Sequence, residues 1–194
     1  MRTVIVAVAA LALWGCSIHH DVVADYPQYL INNQGESHLP TTQAAQKYQL
    51  TPQTAAHHYE FRSGRAGYAN VWVVEFGRLL DHTLQSRDVQ SAFGRLVAAR
   101  PGEPQDGLLV FDLMGYEFTD MGAHVSLRIT HVRQGTQVFT RVYQSSGDAQ
   151  GGKVFWGGAF AMKNAVQQST KRALDEILRA LIADLNAPVR SAAR

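Results

Sequence analysis

Three consecutive stretches with a period of two constrain this chain more than any other feature. Leu108 to Phe118 is strand-like and ends at Thr119-Asp120-Met121-Gly122. Val125, Leu127 and Ile129 then alternate with Ser126, Arg128 and Thr130. Val138, Thr140 and Val142 alternate with Phe139, Arg141 and Tyr143. Successive side chains of a strand point to opposite faces, so each stretch predicts a half-buried strand with one wet face. Gln134-Gly135 supplies a second turn, and two short turns between three strands predict an antiparallel meander. The apolar face of such a meander needs a cover. A helix expected from about Ala159 to Asn186 offers one, through Val166, Ala173, Leu174, Ile177, Leu178, Leu181 and Leu185. Lys171, Arg172, Glu176, Arg179 and Asp184 fall largely off that stripe, as an amphipathic helix requires. The expected class is α+β: an antiparallel sheet with a three-stranded meander, covered by an early helix and this long C-terminal helix.

The rest of the chain is less patterned. His57 to Arg62 reads as a strand and Asn70 to about Ser86 as the early helix, with Trp72, Phe76, Leu79, Leu80 and Thr83 at helical spacing. Val71-Trp72-Val73-Val74 has strand propensity, which leaves that helix's start open. Gln90 to Ala99 reads as a strand, and Pro101-Gly102-Glu103-Pro104 as a loop. Residues 17–56, with Pro27, Pro40, Pro52 and an Asn32-Asn33-Gln34-Gly35 stretch, read as a polar tether with some local structure. Within it, Asp25-Tyr26-Pro27-Gln28-Tyr29-Leu30 is more aromatic than a passive linker needs. Tyr26 and Tyr29 are therefore candidate interaction residues, packing either on a partner or on their own domain.

The first residues carry a second signal. Arg2 precedes an apolar run from Val4 to Gly15, the layout of a secretory leader. The run is too short for a bilayer core of about 30 Å, which needs roughly 20 residues. It closes on Leu13-Trp14-Gly15-Cys16, and Cys16 is the only cysteine in the chain. This resembles the lipobox of bacterial lipoproteins, with Trp14 where a small residue is usual. The resemblance implies cleavage before Cys16 and acylation of that residue. Ser17, rather than Asp, after the cysteine implies sorting to the outer membrane, with the domain facing the periplasm. The expected organisation is a signal peptide over 1–15, a lipidated N-terminus and tether over 16–56, an α+β domain over 57–187 and a tail over 188–194.

Chemistry is sparse. About 180 residues remain after residue 15, with 46% apolar and 18% charged residues overall, a globular balance. The net charge of +2 falls toward neutrality once Arg2 is removed, and no basic block marks a nucleic-acid surface. A lone cysteine excludes an internal disulfide and any CxxC site. Eight histidines show neither HExxH nor helical i,i+4 pairing, so no metal is expected. No nucleophile elbow and no phosphate-binding loop occurs, and the only cofactor expected is the covalent lipid on Cys16. Phe155 and Trp156, between two glycine pairs, are candidates either for an interface or for core beneath the last helix.

The order lipobox, tether, strand, helix, strand, meander and terminal helix resembles small envelope lipoproteins of Gram-negative bacteria, especially auxiliary lipoproteins of ABC-type lipid-transport systems. The corresponding stretches are Asn70-Val71-Trp72 through Leu84, Asp106-Gly107-Leu108 through Tyr143, and Ala165 through Leu185. The resemblance implies a non-enzymatic accessory or adaptor subunit in lipid transport or outer-membrane assembly. Its partners would be the membrane, other envelope proteins and, as an open alternative, further copies of the chain. Two other readings stand beside it: a periplasmic module binding lipid or a small ligand in an apolar cavity between sheet and helix, and an enzyme with a dispersed site.

Overall fold

The computed structural model describes residues 17–64, 67–100, 102–149 and 154–187; for 154–157 it describes the backbone alone. The elements in order are β1 (Ile18–Asp21), α1 (Tyr26–Asn32), β2 (Lys47–Leu50), α2 (Pro52–Ala55), β3 (His58–Phe61), β4 (Asn70–Glu75), α3 (Phe76–Gln85), α4 (Arg87–Phe93), β5 (Val97–Ala98), β6 (Leu108–Thr119), β7 (Gly122–Arg133), β8 (Thr136–Asp148) and α5 (Val154–Asn186). The strands form a three-stranded sheet, β1-β4-β3, and a five-stranded sheet, β5-β2-β6-β7-β8.

The meander is present as β6, β7 and β8, antiparallel throughout. Both of its turns are two residues long. Asp120-Met121 and Gln134-Gly135 all have positive φ, the backbone that matches the twist of a tight hairpin. The sheet as a whole is mixed rather than antiparallel, because β2 runs parallel to both β6 and β5.

The long helix covers the inner face of the meander, where Val125, Leu127 and Ile129 meet Leu174, Ile177, Leu178 and Leu181, all buried. Gly158 (φ 57°) breaks α5 near its start, and the helix runs on from Ala159. Its other flank is not the wet face expected. Gln167 Nε2 donates to Val22 O at 2.8 Å and to Asp25 Oδ1 at 2.7 Å, and Lys163 pairs with Asp25 at 2.6 Å. Lys171 and Asp175 are buried against the 35–38 turn. There Lys171 donates to both oxygens of Asp175 at 2.7 Å and to Ser37 Oγ. Burial pushes the Asp175 carboxyl up, against the lowering by Lys171. The helix is thus central, with sheet on one side and the N-terminal segment on the other.

Three local expectations fail for physical reasons. Residues 17–56 are not a tether. They supply β1, α1, β2 and α2, and β2 is an inner strand of the five-stranded sheet. Residues 70–75 are a strand: Val71, Trp72 and Val74 are all buried, so the run lacks the alternation of a half-wet strand and imitates a helix face. The helix starts at Phe76 instead. Of residues 90–99, the first four end α4, whose Val89, Ala92 and Phe93 lie buried at spacings of three and four, and only Val97–Ala98 is strand. Gly94, at φ 70°, ends it.

Candidate docking face

The outer face of the meander is built in cross-strand rows by its register. Glu117, His124 and Ser146 form one row, Gly115, Ser126 and Gln144 the next, then Asp112, Arg128 and Val142, then Val110, Thr130 and Thr140. Neighbours within rows bond one another. His124 Nδ1 and Ser146 Oγ share a hydrogen bond of 2.7 Å, and Thr130 and Thr140 share one of 2.8 Å. Arg128 pairs with Asp112 at 3.1 Å, whose second oxygen accepts from Thr51. A bulge between Leu113 and Gly115 curls the sheet. The resulting concavity of about 610 Å³ is lined by Glu117, His124, Ser126, Gln144 and Ser146 among others. Apolar side chains also open outward here: Met114 is 49% exposed and Val142 53%.

β8, thirteen residues long, is an edge strand of its sheet and pairs only with β7 among the described strands. Ala149 N donates to Met121 O, which fixes the alternation along the strand. Odd residues from 141 to 147 face β7. Thr140, Val142, Gln144 and Ser146 turn their backbone N–H and C=O away from the sheet. The outward side chains of these four are uncharged, and no proline or lysine interrupts them, so two usual protections of an edge strand are missing over this stretch. The inner side is different: Arg141 pairs with Asp184 of α5, and Tyr143 donates to the other Asp184 oxygen at 2.6 Å. Burial pushes the Tyr143 hydroxyl up, with Asp184 adding to it.

The residues singled out in the sequence are scattered. Cys16 lies outside the described residues. Tyr26 is fully buried, its hydroxyl sharing a 2.8 Å hydrogen bond with Thr83, and burial pushes that hydroxyl far up. Tyr29 stacks on Tyr26 at 5.8 Å, and burial pushes its hydroxyl up to about 12. The pair packs on its own domain. Phe155 and Trp156 lie in the first turn of α5, with side chains outside the described residues. His20 bonds Asn70 at 2.7 Å, His58 bonds Glu60 at 2.9 Å, and His131 is buried with Nε2 unpartnered. Among the described residues no three His, Cys, Asp or Glu side chains gather as metal ligands. The open face itself was half-visible in the sequence, through Ser126, Arg128 and Thr130. The free edge of β8 was not, because it depends on β2 and β5 joining the sheet at its opposite side.

No family model and no curated protein sequence matches this chain. Among solved structures, it is similar to protein XCC0632 from Xanthomonas campestris, of the DUF330 family. That likeness has 11% identity and a TM-score of 0.45, covering 75% of this chain and 87% of that one. It is also similar to the hypothetical protein CT253 from Chlamydia trachomatis, with 10% identity and a TM-score of 0.35, covering 76% of this chain and 99% of that one.

Proposed function

We propose that this chain is a lipid-anchored adaptor of the bacterial cell envelope, serving lipid transport or outer-membrane assembly by docking a protein partner rather than by catalysis. The observation that carries the reading is the open meander: a sheet face, and a β8 edge from Thr140 to Ser146, that the other described residues leave unpaired. Extended backbone with free N–H and C=O groups is a ready template for an added strand, and exposed Val142 supplies apolar contact on the edge itself. The resemblance of Leu13-Trp14-Gly15-Cys16 to a lipobox supports the anchor. The row Glu117, His124, Ser146 stands on an open sheet in contact with water, whereas acyl transfer depends on a dry, preorganised pocket. The lipid-cavity alternative needs space between sheet and helix. At Gly147 the α5 backbone lies directly on β8, so a Cβ there would sit 1.9 Å from Ser169 O.

The test combines two readouts. A palmitate analogue should label the wild-type chain and not Cys16→Ala. Affinity purification from membranes should recover envelope proteins with the wild type and lose them with Val142→Lys, which places a charge on the edge without touching the core. Label on Cys16→Ala would overturn the anchor. Unchanged partners with Val142→Lys would overturn the docking face.

A further inference from the structure

β1 begins at Ile18, two residues after Cys16, and the chain is already fastened there. Ile18 N donates to Ala69 O at 2.9 Å. Arg62 donates to Ser17 Oγ at 2.9 Å and, through its other nitrogen, to Tyr68 O. Ser17, Ile18, Arg62 and Tyr68 therefore form one cluster. Phe160 belongs to the same end. Ile18 pairs with Asn70 of β4, and Trp72, two residues along, donates to Ala159 O at 3.4 Å. Ile18 is 53% exposed, Tyr68 74% and Phe160 79%; the last two are the most exposed large apolar side chains among the described residues.

We propose that this end of the molecule is a bilayer-contacting face, with Ile18, Tyr68 and Phe160 seated in the headgroup layer and Arg62 reaching lipid phosphate. The proposal rests on the lipid-anchor reading of Cys16 and adds to it where the domain lies. Two residues of extended chain span at most about 7 Å. The headgroup region is roughly 5–8 Å deep on each side of the hydrocarbon core. A Cys16 whose acyl chains enter the core thus holds Ile18 within or just above the headgroups, which keeps this end of the domain at the surface. The side chains at that contact suit it: amphipathic and aromatic rings favour the interface, and arginine pairs with phosphate.

The face also sets an orientation. Phe61, next to Arg62, lies 4.9 Å from Phe118 of β6. Arg62 shares one surface hollow with Asp120 and Met121 of the β6–β7 turn. That turn therefore lies at the membrane end of the meander. The opposite turn, at Gln134-Gly135, stands about 40 Å away, the length of a twelve-residue strand.

The test uses the full lipoprotein, purified from membranes and reconstituted in phosphatidylcholine–phosphatidylglycerol vesicles, with and without a shallow doxyl-labelled lipid. The fluorescence that Tyr68→Trp adds to the wild-type signal should be roughly halved by the doxyl lipid, as for a ring in the interface. The fluorescence that Val138→Trp adds, near the far turn, should not change. Both substitutions fall on exposed side chains, so folding is preserved. Flotation of the same vesicles reads the anchor separately. Protein that floats while Tyr68→Trp stays unquenched overturns the face and leaves the anchor standing. Protein that fails to float overturns both.

Discussion

Gly147→Ala tests the closest contact in the fold. Gly147 lies on the inner face of β8, paired with Ala123 of β7, and is buried under α5. An added Cβ would meet Ser169 O at 1.9 Å, Ala173 N at 2.7 Å and Ser169 C at 2.9 Å, all backbone atoms of the helix. Ordinary carbon contacts begin near 3.5 Å, so α5 must lift by roughly 1.5 Å or β8 must buckle. Overpacking by one methyl typically costs about 1–3 kcal/mol. Here the displaced body is a helix carrying Val166, Thr170, Ala173 and Leu174 in the core. A gap of 0.5–1 Å already forfeits a quarter to a half of a dispersion contact, so the loss reaches about 3 kcal/mol or more, against a total stability of roughly 5–15. Gly115→Ala in the same sheet is the control, since nothing lies within 4 Å of its added Cβ and its φ is not positive. It should leave stability unchanged or raise it by up to about 1 kcal/mol. Urea denaturation followed by circular dichroism gives both values from the shift in midpoint at constant slope. Equal midpoints for the two variants would show that α5 does not rest on β8, and the core described here would be wrong.

The remaining predictions concern the same helix and one buried histidine. Leu181→Ala removes a fully buried side chain and should cost about 2–5 kcal/mol. Arg179→Ala loses a 2.9 Å bond to Ser37 O and should cost about 0.5–1.5 in the same urea assay. Lys171→Met strands the buried Asp175 carboxylate and should cost about 3–5 kcal/mol, most of it recovered in the double variant Lys171→Met/Asp175→Leu. Desolvation lowers the pKa of His131 from its ordinary 6.5, against a hydrogen bond from its ring to the Ala44 backbone that raises it. Its contribution is therefore present above 6.5 and lost as pH falls from there through the lower folded value. A urea midpoint measured across that range should fall with acid in the wild type and fall less in His131→Leu.

Local pattern and distant pairing explain what the sequence could and could not reveal. The meander was legible because its alternation and its two-residue turns are neighbours in the chain, and α5 because its stripe repeats over many turns. Residues 17–56 were not, because each short element there is held by residues far away. Tyr26 bonds Thr83, Tyr48 bonds Asp81, and Ser37 bonds Asp88 and Lys171. Four-residue strands carry too little pattern to reveal such partners, and parallel pairing of β1 with β4 and β2 with β6 leaves no tight turn to read. Buried Lys171 and Asp175 misled in the same way: as charges off the apolar stripe they looked like a wet face, whereas they neutralise each other against the 35–38 turn. The candidate docking face shared this limit, since its wet side chains were legible and its free edge was not.

A tethered domain and a fastened one make different adaptors. A flexible linker of about 40 residues would let a domain roam some 35 Å from its anchor in any orientation. Each docking event would then carry the cost of freezing that freedom. In this fold Ser17 is bonded by Arg62, and β1 is hydrogen-bonded into its sheet at Ile18. If Cys16 is the anchored residue, the freedom is already spent in folding, and the domain meets every partner in one orientation. The β8 edge then runs from the β6–β7 end at the bilayer outward, offering free backbone groups at Ser146, Gln144, Val142 and Thr140 in that order. A partner strand that pairs with it has to run along the membrane normal within about 40 Å of the surface. That geometry favours a protein rooted in, or standing on, the same membrane over one that diffuses freely beyond it.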